Sequence, residues 1–483
     1  MNVRSRRRVL VVLALFAVAL APRLYVALAW TREPVWDGHY YDIGARSIAA
    51  GRGYVGTEGG AWCHYPVGYS AWLGFAYRIF GTGAWVGPTL NAVMGALSAV
   101  FVRELALRAV DHGSERRATV AGFLVALHPG LIAYTPLLMT ELTSSLVLVA
   151  APLVVACKPT SRRYAIVAGV LFGLGTLVRP QTILCAPAAI FFLPRGFRKR
   201  TALAVAGLVT AISLLVVAPW TARNCTVMDG CTFVSSNGGW NLAIGSFPRA
   251  TGRFETLRGE DGCAEVTGQV QQDRCWSQRA AEWISRDPAA WVARIPSKLG
   301  FTFDHESFAV GYLAEADPRA WPEARKERAR QLFSNVHRGL MVLAALAFVP
   351  RPSRRRPASI LGSVAVALAA WFAVMSDDHP FWIVALAIVG MAALRFDLRS
   401  RDRALVYACW GVGTLLLVHA VFFGEDRYHI VITPLLCLLA ASAWRDESPS
   451  SATGPASHEP SDRVDEPGLL DLDGRSRLTP VPP

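Results

Sequence analysis

The sequence contains few charged residues for its length. Only 18% of its 483 residues are Asp, Glu, Lys or Arg, whereas an average soluble protein has about 25%. Hydrophobic residues make up 53% of the chain, which argues against disordered, collagen-like and small disulfide-scaffold proteins. A membrane-spanning helix needs about 20 mostly apolar residues, so twelve of them would use about 240 residues, half of the chain. The composition therefore favours a polytopic membrane protein over a series of soluble domains.

Acidic residues are fewer than basic residues, 36 against 49, and the net charge is +13. This excess suits either a nucleic-acid binder or a membrane protein with basic loops. Twelve apolar runs favour the second class; they cover residues 9–30, 84–102, 118–138, 141–157, 164–178, 180–194, 201–219, 337–350, 358–375, 380–394, 404–423 and 429–444. Basic residues gather in alternate connections between these runs, as the positive-inside rule requires. They include Arg6, Arg7, Arg8, Arg103, Arg116, Lys158, Arg163, Arg198, Lys199, Arg354 and Arg401. We therefore expect both termini in the cytoplasm and no nucleic-acid partner.

The sequence predicts an all-α polytopic membrane protein with about twelve transmembrane helices. An N-terminal membrane domain, residues 1–219, contains a long first outer loop, residues 31–83. An outer cap loop, residues 220–336, is expected to be a small mixed domain. C-terminal membrane helices, residues 337–444, precede a cytoplasmic tail, residues 445–483, whose Ser, Pro, Asp and Glu content predicts disorder.

Two helical patterns occur in the first outer loop. One runs from about Gly38 to Ala49 and is ended by Gly51 and Gly53. The other carries an apolar stripe at helical spacing, formed by Tyr69, Trp72, Leu73, Ala76, Tyr77 and Phe80. Aromatic amphipathic helices suit the membrane interface. Packing of the stripe against the spans is the interpretation we favour for its side chains.

The sequence lacks the motifs of common metal and nucleotide sites. It has no CxxC or HxxxH pattern, no P-loop and no glycine-rich turn of the Rossmann type between a predicted strand and a helix, so we expect no metal and no cofactor. Four outer cysteines favour two local disulfides in a compartment where disulfides persist. The expected pairs are Cys225 with Cys231 and Cys263 with Cys275, although spacing alone does not determine connectivity.

Asp37 follows the first apolar run and begins the first helical pattern of the outer loop. An Asp at this point is either a helix N-cap or a carboxylate placed at the membrane surface as a general base. The position alone favours the cap. Asp42, within the same pattern, is interpreted as a solvated side chain.

Four ionisable residues lie at predicted outer boundaries of apolar runs: Glu141, Arg179, Arg223 and Arg427. Ionisable groups at such depth are costly and tend to face a protein interior or an aqueous cavity. An Arg there can bind phosphate through its planar fork. The alternative is simple snorkelling to the interface, but all four residues share one side of the membrane with Asp37.

A series of segments resembles a known family. In chain order they read WDGHYYDIGARSIAAGRGY, HYPVGYSAW, LLMTELTSSL, PWTARN, SSNGGWNLAIG, IPSKLG and EDRYHIVITPLL. The pattern is similar to the GT-C superfamily of polytopic glycosyltransferases, in the branch of dolichyl-phosphate-mannose–protein mannosyltransferases and lipid A aminoarabinose transferases. It covers nearly all of residues 1–444. The resemblance implies that a sugar is transferred, with inversion, from a polyprenyl-phosphate donor to an acceptor hydroxyl or similar group on the outer face of the plasma (inner) membrane.

The resemblance also implies roles for individual residues. Asp37 matches the family's catalytic base, and the Arg427-Tyr428 pair matches a neighbour of the donor phosphate. Further residues are expected at the donor phosphate, namely Arg179 and Lys298. Candidates for the substrate pocket are Tyr40, His64, Tyr65, Glu141, Arg223 and Asn241.

Three departures from the family pattern limit what the resemblance implies. Many relatives have Asp-Glu in the first loop, but here Gly38 follows Asp37. Tyr65 occupies a position where aminoarabinose transferases often have a basic residue, so the resemblance does not establish a lipid A acceptor. The segment WWDYG is absent, which argues against transfer of a whole oligosaccharide to asparagine.

The transferred sugar and the acceptor stay open. Mannose, arabinose, or another hexose or pentose all fit the sequence, and the acceptor is a lipid, a glycan or a protein. Membrane lipids are the other expected partners. A secondary transporter and a non-catalytic membrane scaffold are the alternatives from other classes. A transporter often shows internal repeats and midplane charges, whereas here no clear repeat is visible and the charges gather at one boundary.

Overall fold

The computed structural model describes residues 3–109, 114–193, 199–348, 357–394 and 403–443. The predicted disordered tail and several of the basic connections, including Arg198, Arg354 and Arg401, lie outside these residues. Residues 1–445 contain one compact unit. Within the described residues the chain forms nineteen α-helices, three 3₁₀ helices and two isolated β-bridges, but no strand.

The described residues of the N-terminal half consist mainly of helices. They are α1 (Val3–Ala29), α2 (Trp36–Ala49), α3 (Val67–Phe80), α4 (Val86–Ala109), α5 (Glu115–Leu127), α6 (Pro129–Ala133), α7 (Glu141–Cys157), α8 (Arg162–Val178), the 3₁₀ helix Pro180–Phe192 and α9 (Lys199–Val227). The large apolar core extends from α1 through these helices to the last helix of the chain.

Short helices form the outer segment, and longer ones follow it. They are α10 (Gly238–Ile244), the 3₁₀ helix Gly259–Asp261, α11 (Gln269–Arg286), α12 (Pro288–Ala293), α13 (Ile295–Phe303), α14 (Phe308–Ala316), α15 (Glu323–Leu346), α16 (Pro357–Met375), α17 (Phe381–Leu394), α18 (Arg403–Val421), the 3₁₀ helix Tyr428–Ile432 and α19 (Thr433–Ala441). Among the described residues, every one of the twelve predicted apolar runs overlaps at least one helix.

Four described helices are long and apolar enough to cross a membrane: Arg6–Ala29, Val86–Arg108, Arg200–Val227 and Arg403–Val421. Five other apolar helices are shorter, and the 3₁₀ helix Pro180–Phe192 is one of them. A 3₁₀ helix rises about 2.0 Å per residue, so these 13 residues reach roughly 26 Å. That length approaches the roughly 30 Å of a bilayer core. The described helices therefore fit an integral membrane protein, while the count of twelve spans stays a prediction.

A buried arginine shows how the membrane part satisfies its helix ends. Arg23 of α1 is fully buried and donates hydrogen bonds to the carbonyl oxygens of Val125, at 2.8 Å, and Ala126, at 2.6 Å. These carbonyls belong to the last turn of α5, where an α-helix leaves its own acceptors unpaired. The chain then turns at His128, whose extended backbone precedes Pro129.

Both predicted helices of the first outer loop are confirmed, but the stripe on α3 divides. Tyr69, Leu73 and Tyr77 are buried, whereas Trp72 and Phe80 are exposed, contrary to the favoured interpretation. The exposed side chains share the outer side of α3 with Phe75. Because only part of the surface of α3 packs against the protein, Trp72, Phe75 and Phe80 remain exposed, an arrangement that suits a membrane interface.

The outer segment differs from the expected mixed domain. Residues 220–336 are fully described and form helices and loops without a strand, so the mixed character is wrong. Its ends belong to long helices, because α9 continues to Val227 and α15 begins at Glu323. The structure confirms both expected disulfides, Cys225–Cys231 and Cys263–Cys275.

Candidate active site

Asp37 lies in the first turn of α2 but does not cap it. The N-cap position is Val35, and no side chain caps this helix. The two carboxylate oxygens of Asp37 are used elsewhere: Oδ1 accepts a hydrogen bond from the hydroxyl of Tyr65 at 2.9 Å, and Oδ2 accepts one from the guanidinium of Arg427. The N-cap alternative is therefore wrong, because the carboxylate faces residues distant in the sequence instead of the amides of its own helix.

The departure at Gly38 has a steric reason. A Cβ atom at this position would lie 2.3 Å from the hydroxyl oxygen of Tyr312 and 3.3 Å from the carbonyl oxygen of Leu138. Trp36, on the other side of Asp37, packs against Phe308 and Tyr312. The start of α2 is thus held closely against α14, and this orients the carboxylate next to it.

Arg427 lies between two carboxylates. It forms an ion pair with Asp37, and its Nε is 2.5 Å from Oε2 of Glu425, although the N–H is not aligned for a hydrogen bond. The guanidinium also lies over the rings of Phe308, at 4.9 Å, and Tyr428, at 5.2 Å. Its side chain is 13% exposed, so this ionic cluster is partly accessible from outside the protein.

The two carboxyl groups differ in proton affinity because their contacts differ. Burial acts to raise the pKa of Asp37, but the charge and hydrogen bond of Arg427 and the hydroxyl of Tyr65 outweigh it and lower that pKa. Burial raises the pKa of Glu425 to about 7, and the charge of Arg427 offsets only part of this effect. At neutral pH Asp37 is therefore ionised, whereas Glu425 changes its protonation near that pH.

A second ion pair lies beside the first. Arg179 donates to Oε1 of Glu141 at 3.1 Å, and Glu141 is 1% exposed with its other oxygen unpaired. The guanidinium of Arg179 lies 5.1 Å from the ring centre of Tyr428. The ring of His419 stacks on the same tyrosine ring, with ring centres 4.2 Å apart. Two arginines that are far apart in the sequence thus face one tyrosine.

Aromatic residues of the first outer loop surround Asp37. Tyr40 stacks on Tyr65 with ring centres 5.4 Å apart, and it contacts Trp62 at 5.7 Å. His64 lies 5.0 Å from the ring of Tyr65, and burial lowers its pKa despite the nearby charge of Asp37. Tyr40 is 37% exposed, so the open side of this group carries flat aromatic surface suited to a sugar or an acceptor.

Three candidate residues have other contacts. The ammonium of Lys298 donates to the carbonyl of Val421 at 3.0 Å, in the last turn of α18, and burial lowers its pKa to about 8. Arg223 donates to the carbonyl of Trp62 at 3.0 Å and so attaches the first outer loop to α9. Asn241 is half-buried in α10. Among the described residues, no side-chain contact joins these three to Asp37 or Arg427.

The sequence interpretation missed two acidic residues next to Arg427. Glu425 contacts Arg427 directly, and Asp426 accepts hydrogen bonds from the backbone N–H groups of Ser307 and Phe308, which begin α14. Their position immediately before the Arg-Tyr pair was a visible signal. Asp42 was misjudged as solvated: it is buried and bonded to Arg46 and to the hydroxyl of Tyr77.

A cavity of about 1310 Å³ lies elsewhere, between α1, α5 and α15. Its walls include Arg7, Arg116, Phe123 and Leu343. Neither Asp37 nor Arg427 lines this cavity, and the two residues contact each other directly.

Comparison with known proteins agrees with the segments quoted above. Residues 64–222, about a third of the chain, match the family model of dolichyl-phosphate-mannose-protein mannosyltransferases. This match confirms the resemblance to the GT-C superfamily. It includes His64, Tyr65, Glu141 and Arg179, but it begins after Asp37 and ends before Arg427. No curated protein matches the chain by sequence.

Two of the solved structures that match the chain have a weak overall likeness to it. The oligosaccharyltransferase of Archaeoglobus fulgidus, crystallised with a tethered acceptor peptide, is 15% identical with a TM-score of 0.45 over 89% of this chain and 49% of its own. ArnT from Cupriavidus metallidurans, bound to undecaprenyl phosphate, is 16% identical with a TM-score of 0.37 over 87% of this chain and 77% of its own. The chain thus spans about half the length of the archaeal enzyme.

Proposed function

We propose that this protein is a membrane glycosyltransferase. It moves a sugar from a polyprenyl-phosphate donor to an acceptor hydroxyl or similar group on the extracytoplasmic face. The observation that carries the proposal is the ionic cluster in which Arg427 contacts both Asp37 and Glu425. The matched family, named for dolichyl-phosphate-mannose donors, supports the donor class. The cluster supplies the two groups that such a transfer needs, a carboxylate base and a cation for a phosphate.

The proposed reaction is a single displacement. The acceptor oxygen attacks the anomeric carbon and gives its proton to Asp37, while the bond from that carbon to the phosphate oxygen breaks. The bonding electrons leave with the polyprenyl phosphate, and attack from the opposite face inverts the anomeric centre. A positioned general base contributes roughly 10²–10⁴-fold to such a step. Arg427, with Arg179 nearby, stabilises the charge that grows on the leaving phosphate.

The ion pair suggests how donor binding prepares the base. While Arg427 holds Asp37, the carboxylate is a weak base because its pKa is depressed. A donor phosphate competes for the same guanidinium, since phosphate is a preferred bidentate partner of Arg. When Arg427 turns to the phosphate, the pKa of Asp37 rises towards its ordinary value. The base then becomes stronger only when the donor is in place.

A donor panel tests the proposal. Purified protein in detergent or nanodiscs is incubated with polyprenyl phosphates carrying mannose, arabinose, glucose or galactose, together with a membrane extract as acceptor source. Consumption of one sugar donor by the wild type, and its loss in Asp37→Asn, is the expected result. The matched control is Asp42→Asn on the same helix, whose carboxylate is bonded to Arg46 away from Arg427.

Two outcomes contradict the proposal. One is that no donor of the panel is consumed by folded wild-type protein. The other is equal consumption by wild type and Asp37→Asn, which would place the base elsewhere. A transporter or a scaffold would bind without breaking the sugar–phosphate bond, so product analysis separates the enzyme from both alternatives.

A further inference from the structure

A second cluster of ionisable residues lies around the 3₁₀ helix that directly precedes α19, the last helix. It consists of Glu306, which follows α13, His337 of α15, and His429 of the 3₁₀ helix Tyr428–Ile432. The three side chains are at most 1% exposed. One possible ligand atom from each residue lies within 4.8 Å of those of the other two. We call these residues the histidine cluster.

Hydrogen bonds to the backbone determine which ring nitrogens carry protons. Nε2 of His337 lies 2.9 Å from the carbonyl oxygen of Phe303, and Nδ1 of His429 lies 2.7 Å from that of Thr302. A carbonyl oxygen only accepts, so each of these nitrogens must be the N–H donor. In a neutral ring the other nitrogen then has a free lone pair. Those nitrogens are Nδ1 of His337 and Nε2 of His429.

The lone pairs meet further acceptors instead of donors. Nε2 of His429 is 3.3 Å from a carboxylate oxygen of Glu306, while Nδ1 of His337 and the other oxygen of Glu306 have no hydrogen-bond partner. Buried acceptors without a donor are costly, because they have lost the hydrogen bonds that water would give them. Several acceptors that face one another in a sealed space require a positive charge between them, supplied by a proton or by a metal ion.

The surrounding residues support a cation more than a single proton. A metal-bound His commonly donates its second ring N–H to a backbone carbonyl, and both His337 and His429 do so. His128 adds a donor: its Nδ1 accepts from the amide of Leu131, so its proton is on Nε2, which has no partner and lies in the electrostatic range of Glu306.

We propose that Glu306, His337 and His429 bind one divalent transition-metal ion, with zinc as the first choice. Two imidazoles and one carboxylate form a ligand set that zinc accepts, with a fourth position open. The two rings are stacked with centres 3.8 Å apart. Imidazoles on one zinc ion at about 2.0–2.1 Å have ring centres roughly 5 Å apart, so binding must open this stack.

The bound ion would hold the outer segment to the last helix. Glu306 is one residue before Ser307 and two before Phe308, whose amides bind Asp426, and His429 is two residues after Arg427. The metal would thereby fix the backbone on which Arg427 is mounted. This role is structural and separate from the transfer reaction at Asp37.

The test is the metal content of the intact membrane protein, measured without any activity assay. The protein is produced in zinc-supplemented medium with a tag that lacks histidines, and zinc per chain is determined by inductively coupled plasma mass spectrometry. We expect about one ion per chain in the wild type. Glu306→Gln and His337→Gln should lower the affinity at least about tenfold. The matched control, His419→Gln, removes another buried histidine bonded to a backbone carbonyl and should retain the ion.

Cobalt substitution keeps the test independent of how well the variants fold. Wild-type protein produced in cobalt-containing, zinc-depleted medium should show the visible absorption bands of tetrahedral Co²⁺. Absence of zinc and of these bands in folded wild-type protein overturns the proposal, because a proton then neutralises the cluster. Retention of the ion by both cluster variants overturns it as well. A bound ion in inactive Asp37→Asn would separate this site from the proposed function.

Discussion

The short segment 427–429 contributes one residue to each of two polar clusters, and these clusters differ in how their charges are paired and in how deeply they are buried. In the ionic cluster, Asp37, Arg427 and Glu425 pair opposite charges and keep 24%, 13% and 22% of their side-chain surface exposed. In the histidine cluster, acceptors face acceptors and exposure is at most 1%. A half-open ion pair can exchange one partner for a ligand, whereas a sealed group can only hold what it enclosed during folding. The comparison teaches that burial distinguishes the proposed reaction site from the proposed structural site, although their residues are nearly adjacent.

The local helix type explains how neighbouring residues serve two clusters. Residues Tyr428–Ile432 form a 3₁₀ helix, in which successive side chains point about 120° apart. Tyr428 therefore faces the two arginines, while His429 faces the interior and stacks on His337. The five predictions below all perturb the ionic cluster and leave the three residues of the histidine cluster unchanged.

The largest expected effect is on the base of the ionic cluster. Asp37→Asn should reduce the transfer rate by roughly 10²–10⁴-fold, because the amide cannot accept the acceptor's proton. Asp42→Asn should keep most of the transfer rate, since its carboxylate serves the buried contacts with Arg46 and Tyr77. Single-turnover rates with a polyprenyl-phosphate sugar check this difference. Equal losses in both variants would mean that α2 matters only for folding.

The next effect concerns phosphate binding. Arg427→Gln should raise KM for the donor about 10- to 100-fold, because a charged hydrogen bond contributes about 1.5–3 kcal/mol. Arg427→Lys keeps the charge without the planar fork and should fall between this variant and the wild type. Steady-state kinetics over a donor titration, with circular dichroism as the folding control, measures the effect. An unchanged KM in folded Arg427→Gln would remove Arg427 from the donor site.

Glu425 should make the ionic cluster sensitive to pH. The pKa of Glu425 is about 7, so above that pH Arg427 has a second carboxylate beside it. This second negative charge weakens the binding of a phosphate by Arg427. The donor KM should therefore rise as the pH passes upward through about 7, and Glu425→Gln should remove this rise. The donor itself is a phosphodiester with constant charge in this range. A KM that rises equally in both proteins would exclude Glu425 as the cause.

The raised pKa of Glu425 also determines how this carboxyl group makes folding stability depend on pH. Because its pKa is raised above the usual 4.5, the folded chain holds the proton more tightly than the unfolded chain. Its contribution to stability is present at low pH and is lost as the pH rises through about 7. Thermal unfolding in detergent at pH 5 and pH 8 should thus show a smaller pH effect in Glu425→Gln than in the wild type.

The smallest effect concerns the hydroxyl that orients the base. Tyr65→Phe removes the hydrogen bond to Oδ1 of Asp37, a loss of about 0.5–1.5 kcal/mol, so the rate should fall about 2- to 10-fold. The pKa of Asp37 should also rise, since this hydrogen bond helps to lower it. Tyr77→Phe loses the equivalent bond to Asp42 and is the control. If the acidic limb of the pH–rate profile has the same midpoint in Tyr65→Phe as in the wild type, Tyr65 does not lower the pKa of Asp37.

Much of the fold and part of the site could be predicted from local patterns. The twelve apolar runs, the two outer helices and both disulfides follow from hydrophobic spacing and from cysteines close in the chain. Asp37, Tyr65, Arg179 and Arg427 were candidates from motif resemblance and shared sidedness, and contacts in the structure link all four, Arg179 through the ring of Tyr428. Lys298 was expected at the donor phosphate, yet its ammonium pairs with carbonyls at the end of α18. The contact between Lys298 and the end of α18 joins segments that are 123 positions apart, so no local sequence pattern could predict it.

The sequence by itself determined that this chain is helical and apolar, which segments lie outside the apolar runs, and which few charged residues remain there. Hydrophobic length and charge placement are local properties, so they can be read along the chain. Only the tertiary structure decided which charges meet. It paired Arg427 with Asp37 across 390 positions, and it enclosed Glu306, His337 and His429 where no motif spacing had indicated a metal. Contacts of this kind depend on how helices pack in three dimensions, because the free energy of a buried charge is set by its neighbours in space and not in sequence.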